Sequence, residues 1–143
     1  MDRITEAVKA AEIGHHGEIR FVVEAGLDWP LLLRGVTARE RAVMVFSQLG
    51  VWDTEANNGV LIYLLVADRN VEILGDRGIH AKVGIPGWEL ICQEMEQQFR
   101  NGRFVVGALH GIQAVGQLLK FHFPQTEVSG ADSNELPDRP TII

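Results

Sequence analysis

The feature that most constrains this chain is the run Val60-Leu61-Ile62-Tyr63-Leu64-Leu65-Val66, bracketed by Asn58-Gly59 before it and Asp68-Arg69-Asn70 after it. The run falls far short of the ~20 apolar residues that a membrane helix requires, and turn-forming residues close it at both ends. It predicts a strand buried on both faces, and therefore the centre of a sheet. Val71-Glu72-Ile73-Leu74 follows the polar break at once, which predicts an antiparallel hairpin. Folding back this way returns Asp76 toward Asn57 and Asn58 and leaves Asp68 at the opposite end of the sheet. A single site would then draw on Asp53, Asn57, Asn58, Asp76 and Arg77 before Asp68.

The flanking segments supply the layers around that strand. Ile4, Ala7, Val8 and Ala11 keep a helical period after Asp2, and Gly14 is placed to end the helix. Gly17 to Ala25 alternates Ile19, Phe21 and Val23 with Arg20, Val22 and Glu24, which predicts a strand with one well-buried face, at or near the sheet edge. Pro30 forbids regular continuation, so Gly26 to Val36 is expected to be an irregular connection. Its Trp29 and Leu31 to Leu33 are expected to pack in the core, with an exposed contact surface as the alternative. Thr37-Ala38-Arg39-Glu40 is a capping box, and the helix it starts runs to Leu49 before Gly50. Strand, helix and central strand compose a right-handed βαβ unit with parallel strands.

Downstream, Arg77 to Gly84 reads as a short connection, followed by a helix with Trp88, Ile91, Cys92, Met95 and Phe99 on its inner face. Arg103 to His122 predicts a further helix, in which Gly107 and Gly111 permit close packing. The fold expected is an α/β three-layer α/β/α sandwich: a small mixed sheet flanked by about four helices, in one domain over residues 1–124. Residues 125–143 form a polar tail unable to build a core of its own, although Thr141-Ile142-Ile143 can pack on the body or on a partner.

Composition removes several classes of function. A net charge of -6 with scattered basic residues argues against nucleic acid as the main partner. No run suits a membrane span and no apolar leader is visible, so a cytoplasmic location is expected. The one cysteine, Cys92, is read as a buried thiol. His15 and His16 are adjacent and would point to opposite faces of a strand, which disfavours joint metal ligation. No nucleophile elbow, phosphate loop, dinucleotide fingerprint, HExxH or CxxC is present, and no organic cofactor is implied.

What remains is an oxygen-rich set: Asp53, Thr54, Glu55, Asn57, Asn58 and Asp76. Carboxylates and amide carbonyls are the hard donors that Ca²⁺ or Mg²⁺ selects. The same residues also favour turns by bonding the local backbone. Asp76-Arg77 offers either an anion contact or a surface ion pair.

The ordered motifs of the chain resemble the TPM domain family. They are the Gly17-Glu18-Ile19-Arg20-Phe21 strand, the Thr37 helix, Asn57-Asn58-Gly59-Val60, Asp68-Arg69, Gly78-Ile79 and Phe99-Arg100-Asn101-Gly102-Arg103-Phe104. Members of that family are associated with acid phosphatase activity and photosystem repair in plants, with bound Ca²⁺ in some bacteria and with receptor gating in an animal. The resemblance implies an α/β/α sandwich and a phosphatase-like hydrolase acting with Ca²⁺ or Mg²⁺. On that basis Asp53 and Asp76 would hold the ion, Asn57 and Asn58 would orient ligands, and Arg77 would stabilise phosphate charge. Asn57 stands where relatives commonly carry Asp, one carboxylate fewer. The alternative is a non-enzymatic protein-binding or chaperone-like module that meets an unknown protein partner through Trp29, Leu31 to Leu33 and the tail.

Overall fold

A computed structural model describes residues 2–12, 17–51, 59–123 and 140–143. The elements run α1 (Asp2–Ala11), β1 (Glu18–Glu24), α2 (Trp29–Leu33), α3 (Ala38–Gln48), β2 (Gly59–Leu65), a 3-10 turn (Val66–Asp68), β3 (Asn70–Gly75), α4 (Arg77–Arg100), α5 (Phe104–His122) and β4 (Thr141–Ile142). The sheet order is β3-β2-β1-β4. β1 pairs in parallel with β2 and β4, whereas β2 and β3 form the antiparallel hairpin.

The run at 60–66 behaves as its composition demands: every residue of β2 is buried. Ile19, Phe21, Val60, Ile62 and Ile73 face α1, α4 and α5. Val22, Leu61, Tyr63 and Leu65 face Ala42 and Val45 of α3. Three layers result, with both sheet faces covered, as an apolar strand without alternation requires. Thr37 caps α3: its hydroxyl accepts from Glu40 N and Glu40 reaches back to Thr37 N.

Four features differ from the sequence expectation. β1 lies next to the sheet edge, beside Thr141 and Ile142, but both of its faces are largely covered where one was expected. The segment Trp29–Leu33, which contains Pro30, is a short helix, since proline is tolerated in a first turn. Trp29 and Leu33 are not core residues; they are 75% and 80% exposed. Finally, α4 begins at Arg77. Gly84, at φ 74°, kinks it, and Pro86 follows, so the helical pattern of its first half is hidden in the sequence.

At 19 residues α5 is long and apolar enough to cross a membrane by length and composition alone. Its Ala108, Ile112, Val115 and Leu119 are fully buried in the core, while His110, Gln113, Gln117 and Lys120 face outward. Gly107 and Gly111 let it approach α4: a Cβ on Gly107 would lie 2.8 Å from the Phe99 ring, and one on Gly111 would meet the Met95 thioether.

Candidate functional site

The hairpin places Asp76 at the sheet end predicted for it. Val60 pairs with Gly75 and Leu65 with Asn70, so Asp68 lies at the far end. Asp76 N donates to Gly59 O at 2.8 Å, which continues the hairpin one step past β3. Asp76 is also the N-cap of α4, where Oδ1 accepts from Arg77 N at 2.8 Å. The residue is only 7% exposed, and Oδ2 is buried with no hydrogen-bond partner among the described residues. Arg77 is exposed at the first position of α4.

A second carboxylate, missed in the sequence, occupies the same end. Glu18 pairs in register with Gly59 and is 3% exposed. Strand alternation settles its direction. Ile19 faces α1 and α5, so Glu18 faces the α3 side; a Cβ on Gly75 would meet Trp88 and Ile79, so the following Asp76 faces the α3 side as well. Gly59 lies between them without a side chain, and a Cβ there would collide with Val51 O. Two buried carboxylates thus flank Gly59, which the Val51 carbonyl overlies. Only the parallel register of β1 and β2 brings Glu18 here, and a lone Glu at the start of a strand gives no such signal.

Asp53, Asn57 and Asn58, expected to complete the ligand set, lie outside the described residues, as do His15 and His16. The described flanks of that segment, Val51 and Gly59, meet at the Asp76 end. Among the described residues no cluster of three His, Cys, Asp or Glu side chains is arranged to hold a metal ion. Among the described residues Asp76 Oδ2 meets no donor, and burying a carboxylate oxygen without a partner is costly.

Two further polar sites are structural. Glu24, at the other end of β1, accepts from Arg41 Nε and Nη2 at 2.9 and 3.1 Å and from the Tyr63 hydroxyl at 2.6 Å. Burial pushes the Glu24 pKa up, but the hydrogen bonds from Arg41 and Tyr63 outweigh it and hold the carboxyl below its ordinary value. Burial first, and then the Glu24 hydrogen bond, push Tyr63 well above the usual phenol range. In α4, burial pushes the Cys92 thiol up to about 12, which suits an inert core thiol rather than a nucleophile.

Sheet, hairpin and helix order define a TPM-type α/β/α domain, and comparison with known proteins agrees. The TPM domain family model matches residues 1–118. The chain belongs to the TPM domain family. It is similar to the BA42 protein of the psychrophilic bacterium Bizionia argentinensis, with 32% identity and a TM-score of 0.83 over 99% of this chain and 90% of that one. The N-terminal domain of a protein from P. gingivalis shares the fold at 20% identity, with a TM-score of 0.67 over 85% of this chain and 76% of that one. No curated protein matches the chain.

Proposed function

We propose that this TPM-domain protein binds a divalent cation, Ca²⁺ or Mg²⁺, at the sheet end that carries Asp76, and acts there as a phosphatase-like hydrolase. The observation that carries this function is the buried Asp76 Oδ2, held beside Gly59 with no donor among the described residues. Asp76 and Asp53 would hold the ion, with Asn57 and Asn58 as neutral oxygen donors and Glu18 adding negative charge from β1. A bound divalent cation supplies electrophilic polarisation of a phosphoryl oxygen. Arg77, exposed on the first turn of α4, would contact phosphate charge, and the N-terminal end of a helix favours anions. The cap from Arg77 N to Asp76 Oδ1 restrains the carboxylate and leaves Oδ2 as the oxygen for the ion.

The test is hydrolysis of p-nitrophenyl phosphate by chelator-treated protein with Mg²⁺ or Ca²⁺ restored. Asp76→Asn keeps a capping oxygen while removing the charge. Metal-dependent turnover lost in Asp76→Asn and Arg77→Ala supports the hydrolase; turnover indifferent to both substitutions refutes it.

A second function, a non-enzymatic protein-binding module, is favoured by α2. None of its residues is buried, and Trp29, Leu32 and Leu33 stand exposed together.

A further inference from the structure

β3 is an outer strand of the sheet, and two of its backbone groups are engaged by side chains of the flanking helices. Val71 N donates to Glu96 Oε2 at 2.9 Å, from α4. Ile73 O accepts from Arg39 Nη1 at 3.2 Å, from α3. Long side chains that cap a sheet edge protect it from unwanted pairing, and they are also removable. A cavity of about 350 Å³ runs beside this edge between α3 and α4. Its floor is Ile73, Trp88 and Cys92, and its walls are Ile85, Arg39, Glu72 and Glu89.

We infer that the edge of β3 is a docking groove for an extended peptide carrying a basic side chain, which adds a strand beside Val71 and Ile73 and places its cation between Glu72 and Glu89. Charge selects this occupant. The groove holds two carboxylates against one guanidinium, and Arg39 is already engaged by Ile73 O and by Glu72 Oε2 at 3.5 Å. Burial raises the Glu72 pKa, Arg39 opposes that, and Glu96 and Glu89 add to it, so an incoming cation relieves an existing repulsion. The apolar floor suits the methylene stem of Lys or Arg. Backbone pairing supplies affinity, and the pocket supplies the choice of residue. Arg39 then has a definite role: it is the lid that the peptide displaces.

The test follows the backbone amides of the full chain by NMR while acetyl- and amide-capped alternating Val/Lys pentapeptide is added, with alternating Val/Glu and a proline-interrupted Val/Lys peptide as comparisons. The result expected is saturable shifts at Val71, Ile73 and Cys92 with the Val/Lys peptide alone. Glu72→Gln with Glu89→Gln should weaken binding by about fivefold, the scale of roughly 1 kcal/mol for a half-exposed ion pair. Arg39→Ala, at an exposed position, should strengthen it. The inference is overturned if no shifts appear at millimolar peptide, if the Val/Glu or proline peptide binds as well, if the shifts fall elsewhere, or if Arg39→Ala weakens binding. Concentration-dependent shifts at the same amides without peptide would assign the edge to a second copy and also overturn it.

Discussion

The Tyr63 hydroxyl donates to Glu24 Oε1 at 2.6 Å inside the layer between the sheet and α3, and Arg41 closes the same carboxylate from the other side. Both Tyr63 and Glu24 are buried. Removing one donor leaves the charge in place with fewer partners, which is the expensive way to break such a network. Tyr63→Phe is therefore expected to lose about 2 kcal/mol of stability by urea denaturation, the scale of a hydrogen bond to a charged group. Arg41→Ala should lose more, because it strips both remaining hydrogen bonds from Glu24.

The same carboxylate predicts a pH dependence. Its folded pKa is held below the ordinary 4.5. The stability it contributes is thus fully present above that ordinary value and is lost as pH falls through the lower folded value. Thermal melts of wild type and Glu24→Gln should differ most near neutral pH and converge in acid below that range.

Gly59 and Gly111 both sit where a Cβ has no room, but the obstacles differ. At Gly59 the obstacle is the Val51 backbone carbonyl, and at Gly111 it is the flexible Met95 side chain. Gly111→Ala should lose about 1–3 kcal/mol as Met95 adjusts. Gly59→Ala should lose more, because backbone must move at the sheet end that carries Asp76. Chemical denaturation of the two variants ranks them directly.

How much of this was legible in the sequence depends on whether the signal was local. The β2 run, the turn at Asp68 to Asn70 and the Thr37 capping box are local, and they led to the hairpin, the βαβ unit and the layers. Placement of Asp76 away from Asp68 followed from the antiparallel return alone. The burial of Glu18 and its place beside Asp76 were hidden, because they depend on the register of β1 against β2, some forty residues away. The pairing of Thr141 and Ile142 with β1 was hidden for the same reason, because it joins residues far apart in the chain. The start of α4 was masked by Gly78, Gly84 and Pro86, residues that argue against a helix one by one yet are accommodated by a kink. At α2 the general preference for burying Trp and Leu pointed the wrong way, since no element among the described residues covers them.

Cys92 yields a prediction about reactivity. With its thiol pushed up to about 12 by burial, it should be almost wholly protonated at pH 8. Alkylation by iodoacetamide should be slow in the folded protein, should go on rising with pH beyond pH 9 where an ordinary thiol levels off, and should become fast in denaturant. Mass spectrometry of timed samples reads all three.

Thr37→Ala removes the hydroxyl that receives Glu40 N. The expected loss is about 1 kcal/mol in global stability. Arg39 sits in the first turn of that helix, so the variant should also loosen the Arg39 contact to Ile73 O, seen as faster amide exchange along the β3 edge.

The measurement that bears most directly on the cation site is calorimetric titration of chelator-treated protein with Ca²⁺ and with Mg²⁺, run on wild type, Asp53→Ala and Asp76→Asn. Saturable binding in the wild type that is lost in Asp76→Asn and in Asp53→Ala is the predicted result. Titrations without heat in the wild type, or binding unchanged in folded Asp76→Asn, would contradict it and leave the exposed faces of α2 and β3 as the functional surfaces.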